Sequence, residues 1–147
     1  MIVIADIDGV ILDSVHRLSY FLSGDLSTYD ALYTNDVPMP AGCSIYKKFI
    51  TDASVDFVFI TGRAERTRGY TAAQLDNLFP NCKYDLLMRP DEISGDLMHD
   101  AQLKPFLLER SGRKLKDVLV AFDDRASVVK AWRELGVTCY QADVGDF

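Results

Sequence analysis

Two aspartates stand two residues apart behind an apolar run, in the stretch Asp6-Ile7-Asp8-Gly9-Val10. In an extended chain such residues point to the same side, so Asp6 and Asp8 can project together. Gly9 lets the chain turn sharply after them. A second apolar run, Val118–Phe122, ends in Asp123-Asp124, and a third, Asp56–Thr61, leads into Gly62-Arg63. Carboxylates that converge without neutralisation repel one another, and at least one must hold its proton more tightly. A hard divalent cation relieves that repulsion, and Mg²⁺ takes a few carboxylates together with waters and a phosphate. The histidines are His16 and His99 alone, so no Cys/His cluster exists for zinc. A carboxylate can also attack phosphorus to give an aspartyl-phosphate. A second carboxylate, protonated, can donate to the leaving oxygen and later take a proton from water. Thr61, Arg63 and a lysine can hold the equatorial phosphate oxygens.

This chemistry requires the strand ends to meet at one edge. Ile2–Ile7, Asp56–Thr61 and Val118–Phe122 read as buried parallel strands, and Tyr84–Met88 and Thr138–Ala142 more weakly so. Helical patterns lie between them at Gly42–Ile50, Ala64–Phe79, Asp100–Ser111 and Arg125–Leu135, with Gly136 placed as a C-terminal cap. This alternation predicts an α/β fold, a parallel sheet with helices on both faces. Right-handed crossovers put every strand C-terminus on one edge, where open α/β sheets bind ligands. Residues 13–41 are the least regular and read as a long loop or small hairpin region.

The 147 residues suit a single domain, residues 1–147, and 48% apolar content supplies a core and excludes a disordered chain. The longest apolar runs, Met1–Ala5 and Val118–Phe122, fall far short of the roughly 20 residues of a membrane span. No basic segment precedes the first run, so no secretory signal is expected. The net charge of −6 argues against avid, sequence-independent binding to long nucleic acid. Cys43, Cys82 and Cys139 read as reduced core thiols of a cytoplasmic protein.

The segment Asp6–Val10 resembles the DxDG[TV] signature of the haloacid dehalogenase (HAD) superfamily. Thr61 resembles its second motif, Lys104 its third and Asp123-Asp124 its fourth, in the same order along the chain. The resemblance implies a Rossmann-like HAD fold and phosphatase chemistry. Asp6 would be the nucleophile and Asp8 the general acid/base. Thr61 and Lys104 would bind phosphate. Asp6, Asp123 and Asp124 would hold Mg²⁺, with Asp8 contributing its backbone carbonyl. A narrower similarity is to the 3′-phosphatase domains of phage polynucleotide kinase/phosphatase enzymes. It rests on Phe122–Gln141, Gly145-Asp146-Phe147, Thr61-Gly62-Arg63, Leu87-Met88-Arg89 and Asp100…Lys104. Arg17 stands eleven residues after Asp6, where that subfamily places a functional arginine. By this likeness Arg17, Gly62, Arg63 and Asp100 join the phosphate- and substrate-binding set. No GxxxxGK[ST] occurs, so no P-loop ATP site is expected, and a stand-alone domain working in complex with a separate kinase is a further alternative.

Each residue also has a plainer reading. Asp123-Asp124 or Asp100 could cap a helix. Lys104, ahead of Pro105, could be a solvated lysine of a first helical turn. Arg17 could be a surface loop charge, and Arg89 a substrate contact or a solvated arginine. Trp132 reads as core, His16 and His99 as loop residues, and Asp13, Asp25 and Asp36 as turn formers. About 50 residues separate the first two motifs and about 40 the next two, which leaves no room for a large cap domain. The reading that follows is an uncapped, Mg²⁺-dependent phosphatase acting through an aspartyl-phosphate. Its expected substrate is a 3′-phosphate on a polynucleotide end. Nucleotide phosphatase activity and a non-catalytic phosphate- or partner-binding module are the alternatives.

Overall fold

A computed structural model describes residues 1–95 and 97–145. Asp96, and Asp146 and Phe147 of the C-terminal resemblance, lie outside the described residues. Five parallel strands form one sheet in the order β5-β4-β1-β6-β7. They are β1 (Ile2–Ala5), β4 (Asp56–Ala64), β5 (Asp85–Arg89), β6 (Val118–Arg125) and β7 (Cys139–Gly145). The period of two in β1 explains the layering. Ile2 and Ile4 face one apolar cluster with Leu103, Leu107, Val128 and Trp132. Val3 and Ala5 face another with Tyr46, Ile50, Leu75 and Phe79. The first cluster is closed by α5 (Asp100–Arg110) and α6 (Ala126–Glu134), the second by α3 (Pro40–Ile50) and α4 (Arg68–Leu78). Helices therefore cover both faces, as the strand–helix alternation predicts.

The chain first moves outward from β1 through β4 to β5, then returns across the sheet to β6 and on to β7. The order reverses beside β1, so its C-terminal end opens between two diverging connections. In such sheets that crevice is the ligand site.

The region 13–41 departs from the expected loop. It holds α1 (Val15–Ser23), α2 (Leu26–Ala31) and a short antiparallel pair of β2 (Leu12–Asp13) with β3 (Val37–Pro38). The small hairpin was legible; the helices were not. They are short, and the residue of α1 that is buried is charged, Arg17. Hydrophobic periodicity cannot register such a face. Asp25 does act locally, accepting from Thr28 N at 3.1 Å to cap α2. The helix expected over Ala64–Phe79 begins later, at Arg68, because β4 runs on to Ala64. Trp132 is buried as expected, but of the three cysteines only Cys139 is; Cys43 and Cys82 are half-buried. No large cap domain is present among the described residues, and none of their helices is long and apolar enough to cross a membrane.

Tyr46 ties α3 to the sheet. Its ring packs on Phe57, Phe59 and Phe122, and its hydroxyl donates to the Asp6 carbonyl at 3.1 Å. One turn earlier, a Cβ on Gly42 would lie 1.8 Å from the Val10 carbonyl oxygen. Alanine there would gain about 1 kcal/mol of helix propensity. It would also drive α3 off the turn that follows Asp8, and the obstructing atom is backbone. Gly42→Ala should therefore destabilise the protein, by about 2 kcal/mol in urea unfolding. A variant as stable as the parent would contradict this packing.

Candidate active site

Asp6 directly follows β1, and its amide continues the ladder to the Phe122 carbonyl at 3.0 Å. The chain then wraps around the Ile7 carbonyl, which accepts from Ile11 N and Leu12 N at 3.0 and 3.1 Å. Gly9 turns with φ +71°, and a Cβ there would sit 2.2 Å from Asp124 Oδ2. Glycine is thus needed for its conformation and for the close approach of the fourth motif. Asp123 and Asp124 end β6 beside β1.

Asp6, Asp123 and Asp124 are buried and offer carboxylate oxygens within 4.8 Å of one another. Lys104 is buried with them, its Nζ 2.8 Å from Asp6 Oδ2 and 2.5 Å from Asp123 Oδ2. The solvated-lysine reading therefore fails. Pro105 lies in the second turn of α5, which begins at Asp100. One ammonium cannot neutralise three carboxylates, and their donors are all hard oxygens. That set fits a divalent cation of the Mg²⁺ type.

Protonation follows from the same crowding. Burial pushes Asp6 up to about 7; Lys104 pulls the other way, while Asp123 and Asp8 add to the rise. Burial also lifts Asp124 to about 6, with Asp6 contributing, and lifts Asp123 despite Lys104. Burial opposes the charge of Lys104, but Asp123 and Asp6 outweigh it and hold the lysine protonated.

Asp8 lies in a second cluster. Burial alone would raise its carboxyl, but Arg63 and then Arg17 overcome that and hold it below the usual range. Arg63 donates from Nε to Asp8 Oδ2 at 2.9 Å and from Nη2 to Oδ1 at 2.7 Å; Arg17 Nη2 reaches the same Oδ1 at 2.7 Å. With its carboxylate facing these two arginines, Asp8 has only its main-chain carbonyl left for a cation. Arg17 is fully buried, so it is no surface charge. Beneath both guanidiniums lies the Tyr33 ring, 4.0 Å from Arg17 and 4.4 Å from Arg63. Asp36, read from sequence as a turn former, is instead buried and accepts from Arg17 and Arg63. The only signal for it is charge: two arginines facing one aspartate call for a second acid.

Thr61 is buried in β4, its Oγ1 accepting from Arg63 N at 3.2 Å. Gly62 has no Cβ, and the place of one lies 2.7 Å from Asp100 Oδ1. Asp100 is the first residue of α5 rather than its cap, which is His99. Its carboxylate accepts from Arg89 at 2.5 Å and Arg125 at 2.7 Å. Arg89 is neither solvated nor turned outward: it also donates to the carbonyls of Gly62, Ile93, Ser94 and Met98. Asp100 and Lys104 share a helix face at four residues' spacing. Seating Asp100 against Gly62 thus aims Lys104 at Asp6.

The profile of the family described as the polynucleotide kinase PNKP phosphatase domain matches residues 1–147. A protein of Autographa californica nuclear polyhedrosis virus, described as a bifunctional polynucleotide kinase/RNA ligase, is 30% identical over 135 residues. That match covers 92% of this chain and 18% of the viral protein. A chain of the Pnkp1/Rnl/Hen1 complex superposes with a TM-score of 0.75 and 28% identity, covering 99% of this chain and 46% of that one. A Thermotoga maritima protein described as a β-phosphoglucomutase shares the fold alone, with a TM-score of 0.58 and 16% identity over 95% of this chain and 84% of its own. This chain thus spans less than half the length of the viral relative and of the matched chain of the Pnkp1/Rnl/Hen1 complex.

The raised Asp6 carboxyl has a consequence for stability. Unfolded, an aspartate titrates near about 4; folded, Asp6 keeps its proton up to about 7. Between those values the folded chain binds more protons, so stability falls as pH rises through that window. Asp8 is shifted the other way, and its contribution changes only at lower pH. In the presence of a chelator, the wild-type chain should melt at a higher temperature at about pH 5.5 than at about pH 8, with Asp6→Asn narrowing the difference. Calorimetry at the two pH values checks it, and the reverse order would contradict the assignment.

Proposed function

Because the chain belongs to the family of polynucleotide kinase (PNKP) phosphatase domains, we propose that it is a Mg²⁺-dependent phosphomonoesterase that removes 3′-phosphates from polynucleotide ends through an aspartyl-phosphate. Residues 1–147 act as one phosphatase unit. The observation that carries the reading is the buried trio Asp6, Asp123 and Asp124 with Lys104 Nζ among them.

Asp6, Asp123 and Asp124, with the main-chain carbonyl of Asp8, would hold Mg²⁺. When bound, the ion favours ionised Asp6 and screens it from the phosphate's charge. An Asp6 oxygen then forms a bond to phosphorus. The bond from phosphorus to the leaving oxygen breaks, its electron pair stays on that oxygen, and the oxygen takes the proton of Asp8. Water next bonds to phosphorus and gives its proton to Asp8. The bond to Asp6 breaks, and its electron pair restores the carboxylate. Lys104 and Thr61 stabilise the transferring group. Arg17 and Arg63 face Asp8 in the free chain, and an incoming phosphate competes with it for them. Sharing their donors with phosphate oxygens weakens their hold on the Asp8 charge, so Asp8 can enter the reaction protonated while they still orient its carboxyl.

The 3′-end substrate is supported by the family match over the whole chain and by the viral relative described as a polynucleotide kinase/RNA ligase. In that relative most of the length has no counterpart here, so a kinase acting with this domain is part of the proposal. The test is Mg²⁺-dependent phosphate release from matched oligonucleotides bearing a 3′- or a 5′-phosphate. A strong 3′ preference, abolished by EDTA and reduced about 1,000-fold or more by Asp6→Asn, is expected. Turnover of free nucleotides with neither oligonucleotide cleaved would replace the substrate with a mononucleotide. Activity unchanged in Asp6→Asn would end the covalent mechanism.

A further inference from the structure

Asp36 is a buried carboxylate that the proposed chemistry leaves without a task. Its side chain is fully shielded from solvent. It accepts from Arg17 Nε at 2.8 Å on Oδ1 and from Arg17 Nη2 at 3.0 Å on Oδ2. Arg63 Nη2 reaches Oδ2 at 2.7 Å. Each arginine also gives its Nη2 to Asp8 Oδ1. Asp36, Arg17, Asp8 and Arg63 therefore close a ring in which acids and bases alternate. His16 Nε2 stands 3.6 Å from Asp36 at the rim, and Tyr29 and Tyr33 flank Arg17 at 4.4 and 4.0 Å.

Backbone pairing locks the ring to the catalytic turn. Asp8 bridges to Leu12, Leu12 pairs with Pro38 and Asp13 with Val37. Asp36 thus hangs one residue beyond the small hairpin that starts from the Asp8 turn. The two-point contact with Arg17 fixes the plane of that guanidinium, as such forks do. Without it, Arg17 Nε has no acceptor, and among these contacts only the Nη2 bond to Asp8 is left to fix the guanidinium in its plane. A buried ion-pair ring is a weak device for stability, since apolar packing often serves as well. A carboxylate that must meet a leaving oxygen within hydrogen-bond reach does need its partners held in place.

Resting on the phosphatase reading, we propose that Asp36 is a positioning residue that sets the Asp8 carboxyl for proton transfer, acting through Arg17, whose guanidinium it holds at two points. When the phosphoryl group moves to Asp6, the pair of electrons left on the departing oxygen is met by the proton of Asp8. An alkoxide needs that proton; p-nitrophenolate leaves without it.

The experiment compares kcat for an oligonucleotide 3′-phosphate with kcat for p-nitrophenyl phosphate, both with Mg²⁺. The expected result is that Asp36→Asn lowers the alkyl-to-aryl ratio about tenfold or more, a share of what a general acid supplies. Asp25→Ala, which removes only the cap of α2 in the same excursion, should keep the wild-type ratio. If Asp36→Asn does not fold, Arg17→Gln with Asp36→Asn removes one buried cation and one buried anion together. That pair should show the same ratio as Arg17→Gln alone, since Asp36 acts through the arginine. An unchanged ratio in folded Asp36→Asn, an equal shift in Asp25→Ala, or multiplying effects in the pair would overturn the assignment. Wild-type protein inactive on both substrates would overturn the phosphatase reading along with it.

Discussion

Three carboxylates crowd against one ammonium at the end of the central strand, and the rest of the structure is arranged around that unbalanced charge. Lys104 touches Asp6 and Asp123 at once. Burial and mutual repulsion still leave Asp6 and Asp124 holding protons far above the usual carboxylate range. Such a cluster stays folded only because the sheet has other sources of stability. β1 is buried on both faces, between two separate apolar clusters.

Lys104 reaches this position through a chain of fits. Gly62 leaves space that Asp100 fills, Arg89 and Arg125 hold Asp100, and α5 carries Lys104 one turn further on. Arg89 also gathers the carbonyls of the segment before α5. The loop, the helix start and the lysine are thus set by one buried arginine. Its part is architectural, yet its effect ends at Asp6.

The two carboxylates of the first motif are two residues apart and live in opposite environments. Asp6 faces other acids, and Asp8 faces arginines. Paired acids whose surroundings push them apart are the usual mark of divided roles. In the free chain Asp6 holds its proton to higher pH than Asp8 does, the reverse of the order the proposed first step needs. Under the proposed chemistry, a cation at the acidic trio would favour ionised Asp6, and a phosphate sharing the arginines would weaken their hold on the Asp8 charge.

Much of this was legible from sequence. Apolar runs marked β1, β4 and β6, and the spacing of Asp6 and Asp8 placed both at one strand end. Right-handed crossovers put the C-terminal ends of these strands on one edge, so the meeting of Asp6, Asp123 and Asp124 there could be expected, whereas the strand order is a matter of tertiary structure. Residues 13–41 could not be read this way. Their helices bury an arginine instead of an apolar stripe, and their aspartates look alike. Asp13 and Asp25 bond within two or three residues, whereas Asp36 bonds across 19 and 27. Local chemistry determines the first two, and sequence carries local chemistry well. The role of Asp36 depends on where Arg17 and Arg63 arrive from other elements, which only the tertiary structure decides. The same holds for Arg89 and Asp100: their types are visible in the sequence, but their partners are chosen by packing at a distance.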